Sequence, residues 1–221
     1  MTILALEFSS PQRSVAVLRA GNPVAAAEAV ESGGNATNAF AMIESALREA
    51  KLEREQIEVI AIGLGPGSYT GIRVALSLAQ GLQLARGARL LGIGSAECLA
   101  EQARAEKIVG RVNVVIDAQR NEIYLAGHEI SAEGRREVEP LKILPAAEIK
   151  LRSDEGGIFI GPEVKKWFPG GRIMFPRAAM LAELAARRGA VAEGETLEPI
   201  YLRETNFVKS PPRRPDSTSP R

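Results

Sequence analysis

Hydrophobic positions along this chain switch between a period of two and a period near 3.6, and the switches mark out two α/β halves. Thr2 to Phe8 is apolar apart from its ends and Glu7, the pattern of a strand covered on both faces. Ser14 to Arg19 and Ala25 to Val30 read as two further strands, separated by turns at Ser9-Ser-Pro11 and Gly21-Asn-Pro23. A helix is expected from about Thr37 to Lys51, then a β-branched strand at 57–62, then a long apolar helix from Thr70 to Ala85. Leu90 to Ile93 is a short strand, and Ala96 to Glu106 a helix with Ser95 as its expected cap. The second half starts with a hairpin, Arg111 to Ile116 and Glu122 to Glu129. It continues through a strand at Ile158 to Ile160 and a helix from Ala178 to Arg188 stopped by Gly189. The boundary is expected near 107–110. Residues 1–108 form a tidy first half, 109–205 a less regular second half, and 206–221 a Pro/Ser/Arg tail.

The junction between the strand at 57–62 and its helix is Gly63-Leu-Gly-Pro-Gly-Ser-Tyr-Thr-Gly-Ile-Arg73. Glycines there allow backbone angles closed to other residues, and Ser68 or Thr70 can cap the helix. Such a turn aims several N–H groups and a positive helix end at one place. A residual phosphate turn made by Gly65, Gly67, Ser68 and Thr70 is one reading. A tight connection that lets the helix lie close on a sheet is the other. A P-loop is excluded because no Lys follows the last glycine. The spacing of Gly65, Gly67 and Gly71 also differs from the dinucleotide fingerprint by one residue.

The two long helices carry more apolar surface than one sheet can cover. On 70–85 the polar residues are Arg73, Ser77, Gln80 and Gln83, a narrow stripe. Gly71, Ala75 and Ala79 recur every four residues, with Leu78 and Leu82 beside them, and would let another helix come close. On 37–51, Phe40, Ile43 and Leu47 form one row, and Ala36, Ala39, Met42 and Ala46 a second, flatter one. Either the two helices pack only on each other and their sheet, or a partner covers them.

Composition narrows the chemistry. Among 221 residues, 45% are hydrophobic and 25% charged, ordinary for a globular protein, and the formal net charge is +1, which does not suggest a dedicated nucleic-acid binder. In the tail, Lys209, Arg213, Arg214 and Arg221 stand against Asp216 alone, a net of +3, so the rest of the chain is net −2 and the cationic excess sits in a segment with little to bury. No apolar run reaches the length of a membrane span and no secretory signal is read, so a cytoplasmic protein is expected. The single Cys excludes an internal disulfide. One His and one Cys cannot make a nitrogen- or sulfur-based metal site without carboxylates supplying the rest. His128 reads as a surface or packing residue and Cys98 as a small core residue. Two carboxylates remain. Glu7 ends the first strand, and it either holds a metal or hydrogen-bonds the neighbouring turn. Asp117 precedes Ala-Gln-Arg, and it is either a metal ligand or a turn residue bonding its own backbone. No catalytic and no metal residue is assigned.

The run Gly65-Pro-Gly-Ser-Tyr-Thr-Gly-Ile-Arg-Val-Ala-Leu-Ser-Leu-Ala-Gln-Gly-Leu82 closely resembles the signature of the bacterial TsaB family, also called YeaZ. Ile3-Leu-Ala-Leu-Glu-Phe-Ser-Ser10 resembles its opening strand, Val115 to Tyr124 its second-domain hairpin, and Pro199-Ile-Tyr-Leu-Arg203 its closing motif. The resemblance spans residues from about 3 to 205. It implies a ribonuclease-H-like fold of the actin, Hsp70 and sugar-kinase superfamily, in two tandem α/β subdomains. It also implies a non-catalytic scaffold subunit of the machinery that makes threonylcarbamoyladenosine in tRNA. Such a subunit would bind a TsaD-type homologue, with a TsaE-type ATPase also in the complex. It would meet that homologue, or a second copy of itself when alone, through the helices carrying Ala36, Ala39, Phe40, Ile43, Gly71, Ala75, Leu78, Ala79 and Leu82. No cofactor is implied for the isolated chain, while the complex would use ATP and Mg, and tRNA would be met indirectly. TsaD-type proteins carry a His-x-x-x-His metal pair that a chain with one His lacks. Superfamily ATPases place Asp where Glu7 stands. The rival readings are an ATP-dependent kinase or ATPase using Glu7 and the Gly65–Gly71 turn, and a peptidase.

Overall fold

Two five-stranded mixed sheets with the same strand order make up the molecule. The computed structural model describes residues 1–19, 27–32, 39–151, 156–189 and 197–202. The expectations for Ala36 and for the 206–221 tail lie outside these.

The first sheet has β1 (Thr2–Glu7), β2 (Gln12–Arg19), β3 (Ala27–Ser32), β4 (Val59–Gly63) and β5 (Arg89–Ile93) in the order β3-β2-β1-β4-β5. The first three strands are antiparallel, and β4 and β5 join parallel to β1. Helix α1 (Ala39–Ala50) links β3 to β4, and α2 (Tyr69–Arg86) links β4 to β5. The second sheet repeats this plan. It has β6 (Gly110–Asp117), β7 (Glu122–Ile130), β8 (Arg135–Pro145), β9 (Ile158–Gly161) and β10 (Arg172–Ile173), ordered β10-β9-β6-β7-β8. A short helix α4 (Ala146–Leu151) stands where α1 does in the first half. This duplicated arrangement is the ribonuclease-H-like fold.

The apolar run of β1 is explained by its two covered faces. Leu4 and Leu6 point into a core shared with α1 and α2, while Ile3 and Ala5 point into another formed with α5 (Ala178–Arg188). The strands divide near residue 108 and the helices do not. Helix α3 (Ser95–Ala105) follows the first sheet but packs Ala96, Leu99, Ala100 and Ala103 on Val112, Val114 and Ile116 of the second. Helix α5 follows the second sheet and packs on the first. The start of α5 is tied to β2 and α3: Ala178 N donates to Ser14 Oγ at 2.8 Å and Arg177 N to Gln102 Oε1 at 2.8 Å.

Between the halves α3 and α5 also share ion pairs. Glu101 is buried and accepts from Arg104 Nε at 2.8 Å and Arg187 Nη1 at 2.7 Å. Burial pushes its carboxyl up, but these hydrogen bonds outweigh it and hold the group below the usual glutamate range. Glu97 accepts from Arg188 of α5 at 2.6 Å and Arg135 of β8 at 3.3 Å.

Strand β8 and helix α4 are two elements that the hydrophobic pattern does not show. β8 is an edge strand dense in charge, and an extra residue near Pro140 shifts its register between Leu125↔Lys142 and Gly127↔Glu139. Charges, Pro and a bulge protect a sheet edge and at the same time erase alternation.

Candidate functional site

Two surfaces meet at the N-terminus of α2, a cleft between the halves and an exposed apolar strip along the helix. Both depend on the glycine turn, which is built by close approach. Ser68 N donates to Ser9 O at 2.7 Å, and Ser68 Oγ accepts from Gly71 N at 3.2 Å as the helix cap. A Cβ at Gly67 would lie 2.1 Å from Ser9 O, and one at Gly71 would lie 1.9 Å from Phe8 O. These glycines are what lets α2 press on the turn after β1. Gly65 lies deeper: its carbonyl accepts from Ser95 N at 2.6 Å. Leu64 O accepts from Ile200 N at 2.9 Å, so the closing motif is bound to the same junction. Ser95 is not the cap of α3. Gly94 is the N-cap residue, and Ser95 Oγ instead donates to Glu7 Oε2 at 3.1 Å.

Glu7 is fully buried. Its Oε1 accepts from Ser9 N at 2.7 Å, so both carboxyl oxygens are engaged inside the protein. Burial raises its pKa, against the lowering pull of the Ser9 and Ser95 bonds. Of the two roles considered, this is the hydrogen bond to the neighbouring turn. Asp117 likewise holds its own turn. Its Oδ1 accepts from Gln119 N at 2.8 Å and its Oδ2 from Lys166 Nζ at 2.7 Å. Gln119, Arg120 and Asn121 all have positive φ, so the β6–β7 turn is a tight left-handed one that the Asp secures.

The cleft encloses about 570 Å³. Ser9, Ser10, Arg13, Gly67, Ser68 and Thr70 line it from the first half, and Asp117, Gln119 and Glu163 from the second. Three residues of the residual phosphate turn therefore reach the cleft and Gly65 does not. Glu163 carries no sequence signal. Burial and the nearby Asp117 carboxylate raise its pKa, partly offset by backbone hydrogen bonding, and a carboxyl there works against an anion.

The helix surface differs from the expectation. Gly71, Ala75 and Ala79 are buried in the chain's own core, packed under α2 with Ile72 and Leu76. Ala39 and Ile43 of α1 are buried in the same core, together with Met42, Ala46 and Leu47. The two rows read on α1 are thus one inward face. Of the residues proposed to meet a partner, Ala39, Ile43, Gly71, Ala75 and Ala79 are corrected to core positions. The small residues serve contact with the sheet and the β1 turn. Phe40 is 61% exposed, and Leu78 and Leu82 are half-buried. The outward strip of α2 adds Tyr69, Val74 and Leu84, the last 88% exposed. Tyr69 stacks on Tyr201 at 5.4 Å between ring centroids.

Cys98 is buried in the core. His128 is a packing residue rather than a surface one. It is 1% exposed and its Nδ1 accepts from Arg135 at 3.2 Å, because a guanidinium only donates. Burial, then Arg135 and Arg111, lower its pKa to about 4, so it is neutral near pH 7. Among the described residues no group of three His, Cys, Asp or Glu is placed to hold a metal, and no helix is long and apolar enough to cross a membrane.

The family model described as TsaD, tRNA N6-adenosine threonylcarbamoyltransferase, matches residues 34–192. This chain belongs to that family. Within it, the chain is similar to proteins named tRNA threonylcarbamoyladenosine biosynthesis protein TsaB. The Escherichia coli protein is 26% identical over 96% of this chain and 99% of its own length. The Bacillus subtilis protein is 26% identical over 95% and 99%. Among solved structures, YeaZ from Pseudomonas aeruginosa aligns with a TM-score of 0.76 at 28% identity, covering 91% of this chain and 99% of that one. The likeness to TsaB and YeaZ therefore extends over both halves and the closing motif.

Proposed function

We propose that this chain is the TsaB-type subunit of the machinery that makes threonylcarbamoyladenosine in tRNA, and that it binds and supports a TsaD-type homologue without catalysing the transfer itself. The observation that carries the reading is the full-length likeness to TsaB proteins in a chain whose candidate acid is taken up in structure. Glu7 spends both oxygens on Ser9 and Ser95, so it does not present a ligand to Mg in the cleft. This also speaks against the kinase reading. With one His in the sequence, the His-x-x-x-His pair is absent, and with it the chemistry of the peptidase reading.

The docking face in this reading is the outward strip of α2 with Phe40 of α1. A copy of the chain would occupy it when the homologue is missing, and the complex rather than the lone chain would use ATP and Mg. The protein would work in the cytoplasm, meeting tRNA through the homologue. The test is affinity capture from the native cell extract, with ATP turnover measured on the purified chain. Capture of the homologue and no turnover by the chain alone are expected. Stoichiometric Mg-ATP binding and turnover by the lone chain would overturn the scaffold reading.

A further inference from the structure

The cleft between the halves has two walls of opposite character. The first-half wall offers donors. The Ser68 cap takes Gly71 N, which leaves the N–H groups of Tyr69 and Thr70 at the cleft without an intrahelical acceptor. Arg13 adds a guanidinium to the same wall, 5.8 Å from the centre of the Phe8 ring. Among the described residues no carboxylate lines this side, and both oxygens of Glu7 are engaged inside the protein. The second-half wall offers acceptors. Asp117 is already matched by Lys166 at 2.7 Å, so the group that leaves this wall negative is Glu163. Its Oε2 is buried and has no hydrogen-bond partner, the one buried carboxylate oxygen among the described residues of which that is true. A buried acceptor without a donor is costly, and a donor bound in the cleft would offset that cost.

We propose that the cleft binds a zwitterion, a free amino acid or a short peptide, with its carboxylate at the start of α2 beside Arg13 and its ammonium at Glu163. The inference goes beyond the scaffold reading and does not rest on it. Charge selects the ligand class. A simple anion would meet the Glu163 carboxyl, and a simple cation would meet Arg13 and the positive end of α2. A molecule with one charge of each sign satisfies both walls. A nucleotide polyphosphate fits less well. It would bring several negative charges against Asp117 and Glu163, and Glu7 has no oxygen left for its metal. The volume of about 570 Å³ lies in the usual range for small-ligand sites and has room for a dipeptide. Pro11, Ile116 and Pro162 give apolar lining for a side chain. The walls are set in place before any ligand arrives, because α3 packs on the second sheet and α5 on the first. Amino acid and peptide share the same charged ends, and length distinguishes them.

Ligand-observed NMR of the full-length chain tests this with two panels, the common L-amino acids and their alanyl dipeptides. Calorimetry then measures the strongest binder of either panel. One ligand per chain is expected. The N-acetyl form of that binder lacks the ammonium and its amide lacks the carboxylate, and each is expected to bind about tenfold more weakly. Glu163→Gln is expected to erase the preference for the free amine over the N-acetyl form. Arg13→Gln is expected to erase the preference for the free carboxylate over the amide. Both readouts compare two ligands on one folded variant, whose thermal midpoint is measured alongside, so a general loss of fold cannot mimic them. Binding by the amino acids or only by the dipeptides supports the inference and fixes the length. No binding from either panel overturns it and leaves the scaffold reading untouched. An N-acetyl form that binds wild type as well as the free amine also overturns it, since the cleft would then be an anion site alone. Stoichiometric Mg-ATP binding in the cleft would overturn this inference and the scaffold reading together.

Discussion

Single positions here answer to contacts that local sequence does not contain. Gly67 must be glycine because Ser9 O stands where its side chain would be, and its φ is +149°. Gly67→Val is expected to prevent α2 from seating, with loss of the cooperative thermal transition. Ser68→Ala removes only the cap to Gly71 and is expected to cost about 1 kcal/mol, read from urea unfolding. Glu7 and His128 set opposite pH responses. The folded pKa of Glu7 is raised, so its ionised form opposes folding and its contribution improves as pH falls toward the ordinary glutamate value. Glu7→Gln can keep both hydrogen bonds, and is expected to equal or exceed wild type in stability at pH 7. The folded pKa of His128 is lowered from 6.5 to about 4, so stability attributable to its neutral form is present above pH 6.5 and is lost as pH falls through that window. The loss is expected to be at most about 3 kcal/mol. His128→Gln is expected to flatten this acid limb in unfolding measured at pH 7, 5.5 and 4.5, and an unchanged slope would assign the limb to other groups.

At the scale of elements, the helices divide into those that cover a sheet and one that also faces out. The buried row of α2 makes Ala75→Arg and Ala79→Arg folding defects, expected to abolish the thermal transition before association can be measured. Leu78→Arg lies on the half-buried rim and is expected to leave the fold intact while weakening association. Helices α3 and α5 are held by the Glu101 network. Glu101→Ala would leave Arg104 and Arg187 without their shared acceptor, and because both arginines keep access to water the cost is expected to be about 1 kcal/mol. The lost ion pairs predict a lower thermal midpoint with the strands' circular dichroism retained below it. Removing Arg187 and Glu101 together is expected to cost less than the sum of the two single changes, which a double-mutant cycle measures.

For the whole molecule, the exchange of helices makes the two halves interdependent. A fragment of residues 1–108 would lack α5 and expose Ile3, Ala5, Ala16 and Val59 on an open sheet face. It is expected to aggregate or remain molten, whereas the intact chain unfolds in one transition. Calorimetry of both checks this, and a soluble, cooperatively folding 1–108 fragment would show that α5 is dispensable to the first half.

The amino-acid pattern by itself determined the strands β1, β2, β4 and β6, the helices α2 and α5 and the glycine junction. Each of these has either an unbroken apolar run or a stop signal within its own sequence. It also carried the family likeness, which the comparisons support over both halves. Strand β8 was hidden because an edge strand faces water and mixes charges with Pro140. Which side of α2 faces out was decided by the tertiary structure alone. Ala and Gly are equally suited to meeting a foreign helix or the chain's own sheet, and only the position of Phe8 and Ser9 shows that they meet the latter. The same holds for Glu7, whose identity suggested a metal ligand until the fold placed Ser9 N and Ser95 Oγ against its two oxygens. It holds too for the stack of Tyr69 on Tyr201, which joins residues far apart in the chain. Periodicity reports how much of a helix is apolar. The direction each face points is set by what the rest of the chain brings beside it.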